Sequence, residues 1–362
     1  MSLKKIAELT GTSISTVSRV LNTPEHTCHT PGLAERIWET AHELGYLPNP
    51  SARNLRLGTS ETNTPFTVDF FLTRFDSMDK DPFFAELFQY MKEELFHSGC
   101  LLGDILSSVD IVALGSNQPD EHPDPVPYRS SEKVLSERTP TSNAFVTRKA
   151  NTGLIILGKC PAELVPLIKK RYSYIAGIDR NPTDYEYDEV VCNGTTAAEK
   201  AVEYLISLGH KTIAYIGDCT YESRYIGYYQ TLVNHKIPAD YKNVHPTDQT
   251  AEEGYRIMCQ IIDSPEPPTA IFCANDATAL GVLRALKQHK KRGYLPSIIS
   301  IDNILDSQNT TPMLTTIDIP KKEMGHLALT LLLDRKKEAH RENIRVELPC
   351  RLIVRESCHY TA

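Results

Sequence analysis

No apolar run in this chain approaches the roughly 20 residues that a membrane-spanning helix needs. The longest uncharged apolar stretches, residues 153–158 and 327–333, fall far short. The N-terminus, Met1-Ser2-Leu3-Lys4-Lys5, has no apolar core of the kind a secretory signal carries. Together these absences point to a cytoplasmic protein that does not engage a membrane. Cysteine pairs are also missing: nine cysteines are scattered along the chain, and no two are spaced C-x-x-C. An odd, scattered set is no disulfide framework, and the thiols are expected to stay reduced. The local group His26-x-Cys28-His29 falls short of the four ligands of a structural zinc site, and no second cluster lies near it in sequence. No metal is expected.

Catalytic and nucleotide signatures are absent too. There is no G-x-G-x-x-G fingerprint, no P-loop, no Gly-x-Ser-x-Gly elbow and no His-Glu-x-x-His. The expectation is a protein that is not an enzyme and needs no cofactor. The first 68 residues contain no aspartate; Asp69 is the first. Residues 1–58 hold six lysines and arginines against five glutamates, a net +1 in a chain whose total is −7. A small segment without aspartate on an acidic body is compatible with contact to DNA, though the excess alone says little. The length, 362 residues, allows two or three domains.

The first 58 residues read as helices. Ile6, Ala7 and Leu9 give a short helix over 3–9, and Gly11-Thr12 a turn. Ser13 is placed to cap a second helix over 14–21, ended by Asn22-Thr23-Pro24. Two short helices joined this tightly make a helix-turn-helix, whose second helix can enter a major groove. Thr30, Pro31 and Gly45 bracket a third helix with Leu33, Ile37, Ala41 and Leu44 on one face. On pattern alone, a three-helix bundle without a DNA role fits as well.

The blocks Ser13-Ile14-Ser15-Thr16-Val17-Ser18-Arg19-Val20-Leu21-Asn22, Gly45-Tyr46-Leu47-Pro48-Asn49 and Ala52-Arg53-Asn54-Leu55-Arg56-Leu57-Gly58 decide between them. In this order they resemble the lactose-repressor/galactose-repressor (LacI/GalR) family of bacterial regulators, and the resemblance extends more loosely over most of the chain. It implies that Ile14 and Ser15 choose the operator and that Arg19 reads a base. Physically, isoleucine packs on a thymine methyl and a serine hydroxyl meets several base edges. Ser13, Thr16, Ser18 and Asn22 offer short donors for phosphates, which position without reading sequence. Residues 50–57 resemble the family's hinge helix, with Leu55 as the wedge between bases and Arg53 and Arg56 at phosphates or in the minor groove. The 23–30 loop is about two residues longer than in the lactose-repressor type.

A polar linker, 58–65, marks a boundary. Beyond it, strand patterns (66–73, 153–157, 174–178, 213–217, 270–273, 298–301) alternate with helical ones (83–97, 196–208, 224–234, 278–289, 322–333). That alternation gives doubly wound parallel sheets. The resemblance implies a periplasmic-binding-protein-like core of two lobes, divided here as 66–190 with 319–348 and 191–318 with 349–362. The stretch 107–152, rich in Pro, Asp, Glu and Ser, is expected to be a surface loop.

Strand ends facing a cleft are where such folds bind ligands. Asp179, Arg224, Asn275 and Asp302 match positions that bind effector in the family's sugar-responsive members. Two carboxylates, a guanidinium and an amide suit the paired donors and acceptors of sugar hydroxyls. Helix capping is the rival role for Asn275 and its neighbour, and is preferred for Asp276. Asp81-Pro82-Phe83-Phe84 resembles a family segment bordering the cleft; Phe83 either stacks on a sugar or fills the core. Asp69 and Asp76 face either the cleft or a dimer partner. A solute-binding transport protein shares the core but lacks the helix-turn-helix. The expected function is a homodimeric repressor of carbohydrate-utilisation genes on pseudo-palindromic operator DNA, released by a sugar. A purine- or phosphoprotein-dependent co-repressor type is the alternative. No leucine heptad follows Val354, so a dimer is expected rather than a tail-linked tetramer.

Overall fold

The computed structural model describes residues 3–22, 32–43, 65–113, 149–179, 181–220, 222–289 and 294–361. The chain divides into two units: Met1–Val68 with Lys92–Gly103, and Asp69–Met91 with Asp104–Ala362.

Three helices open the first unit: α1 (Leu3–Thr10), α2 (Ile14–Asn22) and α3 (Leu33–Glu43). Ile6, Ala7, Val17, Val20, Leu21, Ile37 and Ala41 form its core. The sharp turn after α1 needs Gly11, whose φ of 66° is left-handed; a Cβ there would meet nothing, so conformation rather than space requires glycine. Ser13 caps α2, its Oγ accepting the Thr16 N–H at 3.1 Å.

Among the described residues, twelve strands form two six-stranded sheets. The first sheet uses β1 (Thr67–Leu72), β2 (Leu101–Leu106), β3 (Thr152–Leu157), β4 (Tyr174–Asp179), β5 (Asp188–Val191) and β11 (Arg345–Glu347), in the order β11-β5-β4-β3-β1-β2. The second uses β6 (Ile213–Gly217), β7 (Val244–Pro246), β8 (Ala270–Cys273), β9 (Ser297–Asp302), β10 (Thr315–Asp318) and β12 (Arg351–Ile353), in the order β12-β10-β9-β8-β6-β7. Pairing is parallel from β3 through β4 and β5 to β11, and from β7 through β6, β8 and β9 to β10; β12 runs antiparallel to β10. Every residue of β3, β6, β8 and β9 is buried, as expected for parallel strands covered on both faces.

Helices α4 (Pro82–His97), α5 (Ser108–Ala113), α6 (Val165–Arg171), α7 (Gly194–Ser207), α8 (Ser223–Asn234), α9 (Ala251–Asp263), α10 (Asp276–Gln288) and α11 (Lys321–Lys336) complete the core. α9 and α10 pack with their backbones in contact: a Cβ on Gly254 would strike the Thr278 carbonyl, and one on Gly281 the Ala251 carbonyl. The chain passes between the sheets three times, after β5, after β10 and between β11 and β12. We call the first sheet with its helices the first lobe and the second the second lobe.

The expected loop over 107–152 needs correcting at its start. Residues 108–113 form α5, and Ile111 is fully buried against Phe71, Leu154 and Ile168. Residues 114–148 lie outside the described residues. Asp69 is also settled. It faces neither cleft nor partner but lies inside the first lobe, accepting Lys149 Nζ at 2.6 Å, the Tyr172 hydroxyl at 2.7 Å and the Asp104 N–H at 2.9 Å. Asp76 is exposed and pairs with Lys80 at 2.6 Å.

Candidate functional site

Two faces of the molecule collect the residues that the sequence singles out. The first is α2. Ser13, Ile14, Ser15 and Arg19 are exposed and Thr16 and Ser18 half-buried, whereas Val17 and Val20 turn inward. Ile14 is a large apolar side chain left 48% exposed on a polar face. The Ser13 hydroxyl lies 2.8 Å from both the Ser15 and the Thr16 hydroxyls, so the cap also orients its neighbours. Ile14 apart, the apolar residues of α2 turn inward, and the outward side offers one methyl-rich group, short hydroxyls and one guanidinium. Asn22 ends the helix. Arg53, Leu55 and Arg56 lie outside the described residues, as do the 23–30 loop and the cap expected at Gly45.

The second face is formed by strand ends of the second lobe. Arg224, at the start of α8, is buried. Its Nε donates to Glu222 Oε1 at 2.8 Å, its Nη1 to the Ala274 carbonyl at 2.7 Å and its Nη2 to Gln249 Oε1 at 2.9 Å. Burial opposes the charge, but the Glu222 carboxylate, with Tyr215 and Asp302 beyond it, outweighs burial and holds the guanidinium above its ordinary range. Its fork therefore does not stand open in this structure; it already grips the protein.

Asn275 caps α10, its Oδ1 accepting the Thr278 N–H at 3.0 Å and the Thr278 hydroxyl at 2.6 Å, while its Nδ2 donates to the Gln249 carbonyl at 3.0 Å. Capping thus falls to Asn275 and not to Asp276. Asp276 is fully buried and accepts the Ser300 hydroxyl at 2.5 Å, the Thr316 hydroxyl at 2.7 Å and the Ile304 N–H at 2.9 Å. Burial, then the nearby Asp302 charge, push its pKa up to about 7 against those three donors.

Asp302 ends β9 with φ 128°, rare for a residue with a side chain, and Asn303 follows at 49°. Lys321, buried at the start of α11, braces this corner, its Nζ donating to the Asp302 carbonyl at 2.7 Å and the Asn303 carbonyl at 2.9 Å. The same Nζ sits 5.6 Å from the centre of the Phe83 ring and 3.3 Å from Glu86 Oε2. Phe83 is only 3% exposed and packs edge-on against Phe84, which favours its core role in this arrangement. Asp81 caps α4 ahead of it, accepting the Phe83 N–H at 3.1 Å.

Arg224 and Asn275 are therefore drawn together around Gln249, the Asp302 charge is felt at Arg224, and Phe83 approaches the Asp302 corner through Lys321. Asp179 closes β4 in the other sheet, its carbonyl accepting the Cys192 N–H at 3.2 Å, and is not among the groups that hold Arg224. Besides the Lys321 bonds, hydrogen bonds among the described residues that join the lobes include Arg74 Nη2 to the Asp248 carbonyl at 2.6 Å, the Leu305 N–H to Glu86 Oε1 at 2.6 Å, and the Ser223 N–H to Asn181 Oδ1 at 3.0 Å. Sequence reading missed Glu222, Gln249, Lys321, Glu86 and Arg74. Glu222 carried a faint signal, a carboxylate two residues before Arg224 at a helix start. The others are brought in by tertiary contact alone. A cavity of about 220 Å³, lined by Lys169, Tyr172, Glu186 and Arg335, opens near the start of β4, the end opposite Asp179.

With this geometry in hand, the likenesses to known proteins can be placed. Residues 2–49 match the family model for bacterial regulatory proteins of the lacI family, and residues 202–358 match a periplasmic binding protein-like domain. The chain is 30% identical to the HTH-type transcriptional repressor CytR of Escherichia coli K12, over 98% of this chain and 96% of that protein. Solved structures that share the fold include two that cover nearly the whole chain. The transcriptional regulator CelR in complex with cellobiose superposes with a TM-score of 0.64 at 22% identity, covering 99% of this chain and all of that one. The lac repressor dimer bound to operator and an anti-inducer gives 0.63 at 20% identity, covering 99% and 98%. No helix among the described residues is long and apolar enough to cross a membrane.

Proposed function

The chain belongs to the lacI family of bacterial regulatory proteins, and on that premise we propose that it is a sequence-specific DNA-binding repressor whose grip on its operator is set by a small molecule. The observation that carries this reading is the presence, in one chain, of a helix-turn-helix with an exposed hydroxyl-rich face and of two parallel sheets bonded to each other at the level of Arg224, Asn275 and Asp302. The effector is a sugar, and it binds between the two lobes, 66–190 with 319–348 and 191–318 with 349–362. Asp179, Arg224, Asn275, Asp302 and Phe83 border that site. Arg224 acts there through a guanidinium already oriented by Glu222 and Gln249.

DNA is read by Ile14, Ser15 and Arg19, with Ser13, Thr16, Ser18 and Asn22 on phosphates. By the family resemblance, Arg53, Leu55 and Arg56 complete the interface as a hinge, Leu55 wedging between base pairs. One recognition helix spans only a few base pairs, so two copies acting on a pseudo-palindrome supply the specificity. The protein works as a homodimer, in the cytoplasm where its operator lies, and performs no catalysis.

The effector acts by its unequal affinity for two arrangements of the lobes, which is the only way a ligand can move such an equilibrium. A thermal-shift panel of pentoses, hexoses, disaccharides, nucleosides and nucleobases identifies the ligand class. Anisotropy on an operator recovered by selection from a random DNA library then gives the sign. A sugar that raises Tm and weakens operator binding is the expected result. A nucleobase that raises Tm and tightens binding overturns the sugar-inducer reading.

A further inference from the structure

Asn303, the residue after Asp302, is half-buried and uses both its backbone polar groups and both ends of its amide. Its N–H donates to Thr316 Oγ1 at 3.3 Å and its carbonyl accepts Lys321 Nζ at 2.9 Å. Its Nδ2 donates to Asp318 Oδ1 at 2.8 Å, and its Oδ1 accepts Arg355 Nη2 at 2.6 Å. Arg355 is itself held, its Nη1 donating to the Leu314 carbonyl at 2.7 Å and to Ser307 Oγ at 3.1 Å. The φ of 49° is left-handed, a conformation asparagine adopts more readily than most residues. The amide can sit only one way round: its NH2 must face the carboxylate and its oxygen the guanidinium. The partners lie on both sides of one passage between the lobes. Asp318 ends β10, opposite Asp302 on β9 and Arg351 on β12. Ile319 and Pro320 then lead out of the second lobe, and Lys321 opens α11, which packs on the first sheet. Asn303 is therefore bonded to the last residue before the second passage and to the first residue after it.

We propose that Asn303 is a positioning residue that ties the Asp302 corner to the second passage, so that the placement of Asp302 and the arrangement of the lobes change together. A turn of the lobes about this passage moves Lys321 against Asp318, and Asn303 holds both. Asp302 cannot stay where it is if Asn303 shifts, because the two are neighbours and share Lys321, whose Nζ also takes the Asp302 carbonyl at 2.7 Å. On the far side the Ile304 N–H is fixed to Asp276 Oδ2 at 2.9 Å, which leaves the corner little freedom to absorb the movement by itself. The side chain has to be an amide. A carboxylate at this position would face Asp318, and an apolar group would leave Asp318 and Arg355 without their partner. Two parts of the link are separable. That Asn303 joins the two sides of the passage stands on these contacts; that the link carries the effector response rests on the function proposed above.

The test needs no effector. Full-length wild type, Asn303→Asp, Asn303→Gly and the double variant Asn303→Asp with Asp318→Asn are compared by amide exchange, by urea melts and by anisotropy on the operator recovered by selection. Asn303→Asp sets one carboxylate against another. Asn303→Gly keeps the left-handed backbone and its two backbone bonds but has no amide. In both, exchange at residues 302–305 and 319–322 should quicken together by at least about tenfold, the size of a lost hydrogen bond to a charged group. Operator affinity should fall about fivefold as the second arrangement of the lobes gains population. The double variant restores an amide–carboxylate pair with its polarity reversed and keeps an acceptor for Arg355. Both quantities should then return to within about twofold of the wild type. Exchange that quickens at 302–305 alone, or across the whole second lobe in step with the urea melt, overturns the link and leaves Asn303 a packing residue. A double variant that does not recover overturns the role given to the amide. Exchange that changes on both sides while operator affinity holds overturns the coupling. A wild-type chain that selects no operator overturns the proposed function instead, and the exchange data still decide whether Asn303 joins the two sides of the passage.

Discussion

Glu222 and Arg224 form a buried ion pair, the carboxylate 2.8 Å from Nε, at the mouth of α8. The pair fixes the guanidinium before any ligand arrives. Removing one partner of such a pair leaves the other charge buried and unmatched, which typically costs about 3–5 kcal/mol. Arg224→Ala is therefore expected to lower stability by that order as well as to abolish the effector response, because Gln249 and the Ala274 carbonyl lose their donor too. Glu222→Gln keeps an acceptor for the Nε hydrogen and should cost less, with a folded chain whose effector affinity changes. Denaturant melts with operator-release titrations of both variants separate the two roles. An Arg224→Ala chain as stable as the wild type would show that the pair is not the anchor described here.

The helix-turn-helix allows a sharper test at Ser13. Its hydroxyl both caps α2 and sits 2.8 Å from the Ser15 hydroxyl. Ser13→Ala should cost about 1 kcal/mol of stability through the lost cap, and it should blur the choice among operators by releasing Ser15. Arg19→Ala should weaken the best operator by about 1–3 kcal/mol and random DNA by less, if the guanidinium reads a base edge. Equal losses on both DNAs would assign Arg19 to phosphate contact.

How much of this was legible beforehand depends on where the signal lay. The α2 motif was readable because capping and recognition are local, set by Ser13 and by residues within two turns of it. The α/β alternation was readable because buried parallel strands such as Ile213–Gly217 announce themselves as apolar runs. α9 was overlooked although its apolar residues Ile257, Met258, Ile261 and Ile262 recur at helical spacing. β10 was overlooked because Thr315–Asp318 is short and half threonine. In the cleft, the residue types were found but their employment was not. Asn275 and Asp276 are adjacent in sequence, and nothing local says that the first caps while the second reaches Ser300 and Thr316 on other strands. Lys321 looks like an ordinary charged helix start; only the fold puts Asp302, Asn303, Phe83 and Glu86 around its nitrogen.

Asp276 makes stability depend on pH with a definite sign. Its pKa is raised from 3.8 to about 7 in the folded chain, so the fold binds more protons than the unfolded chain between those values. The contribution is complete below pH 3.8 and is lost as pH rises through about 7, at roughly 1.4 kcal/mol per pH unit between them. Asp276→Asn removes this dependence. Other groups titrate in both chains and cancel in the difference. Measured by urea melts at pH 5, 6, 7 and 8, the deficit of Asp276→Asn against the wild type should shrink by about 1.4 kcal/mol per unit up to pH 7 and then level off. A difference that stays constant across this range would mean that Asp276 is ionised throughout.

Glu86 makes the lobe arrangement itself testable. It stands on α4 of the first lobe, yet its Oε1 accepts the Leu305 N–H of the second lobe at 2.6 Å and its Oε2 faces Lys321 at 3.3 Å. Leu305 lies just beyond the Asp302–Asn303 corner, so this contact ties the candidate ligand-bearing loop to the opposite lobe. Glu86→Ala deletes the acceptor, and the Leu305 N–H can turn to water if the lobes part. A hydrogen bond to a charged group contributes about 1.5–3 kcal/mol, and one whose partners regain water on opening contributes closer to 1. A 1 kcal/mol change moves an equilibrium about fivefold. A sugar that binds between closed lobes should therefore bind about fivefold more weakly to Glu86→Ala, while Ser13, Ser15 and Arg19 keep the bare operator affinity unchanged. Titration calorimetry with the sugar identified by thermal shift, beside anisotropy on the operator, reads both quantities. Weaker sugar binding with intact operator binding supports a closing latch. An unchanged sugar affinity would mean that the Glu86–Leu305 contact is present in both arrangements of the lobes and discriminates between neither.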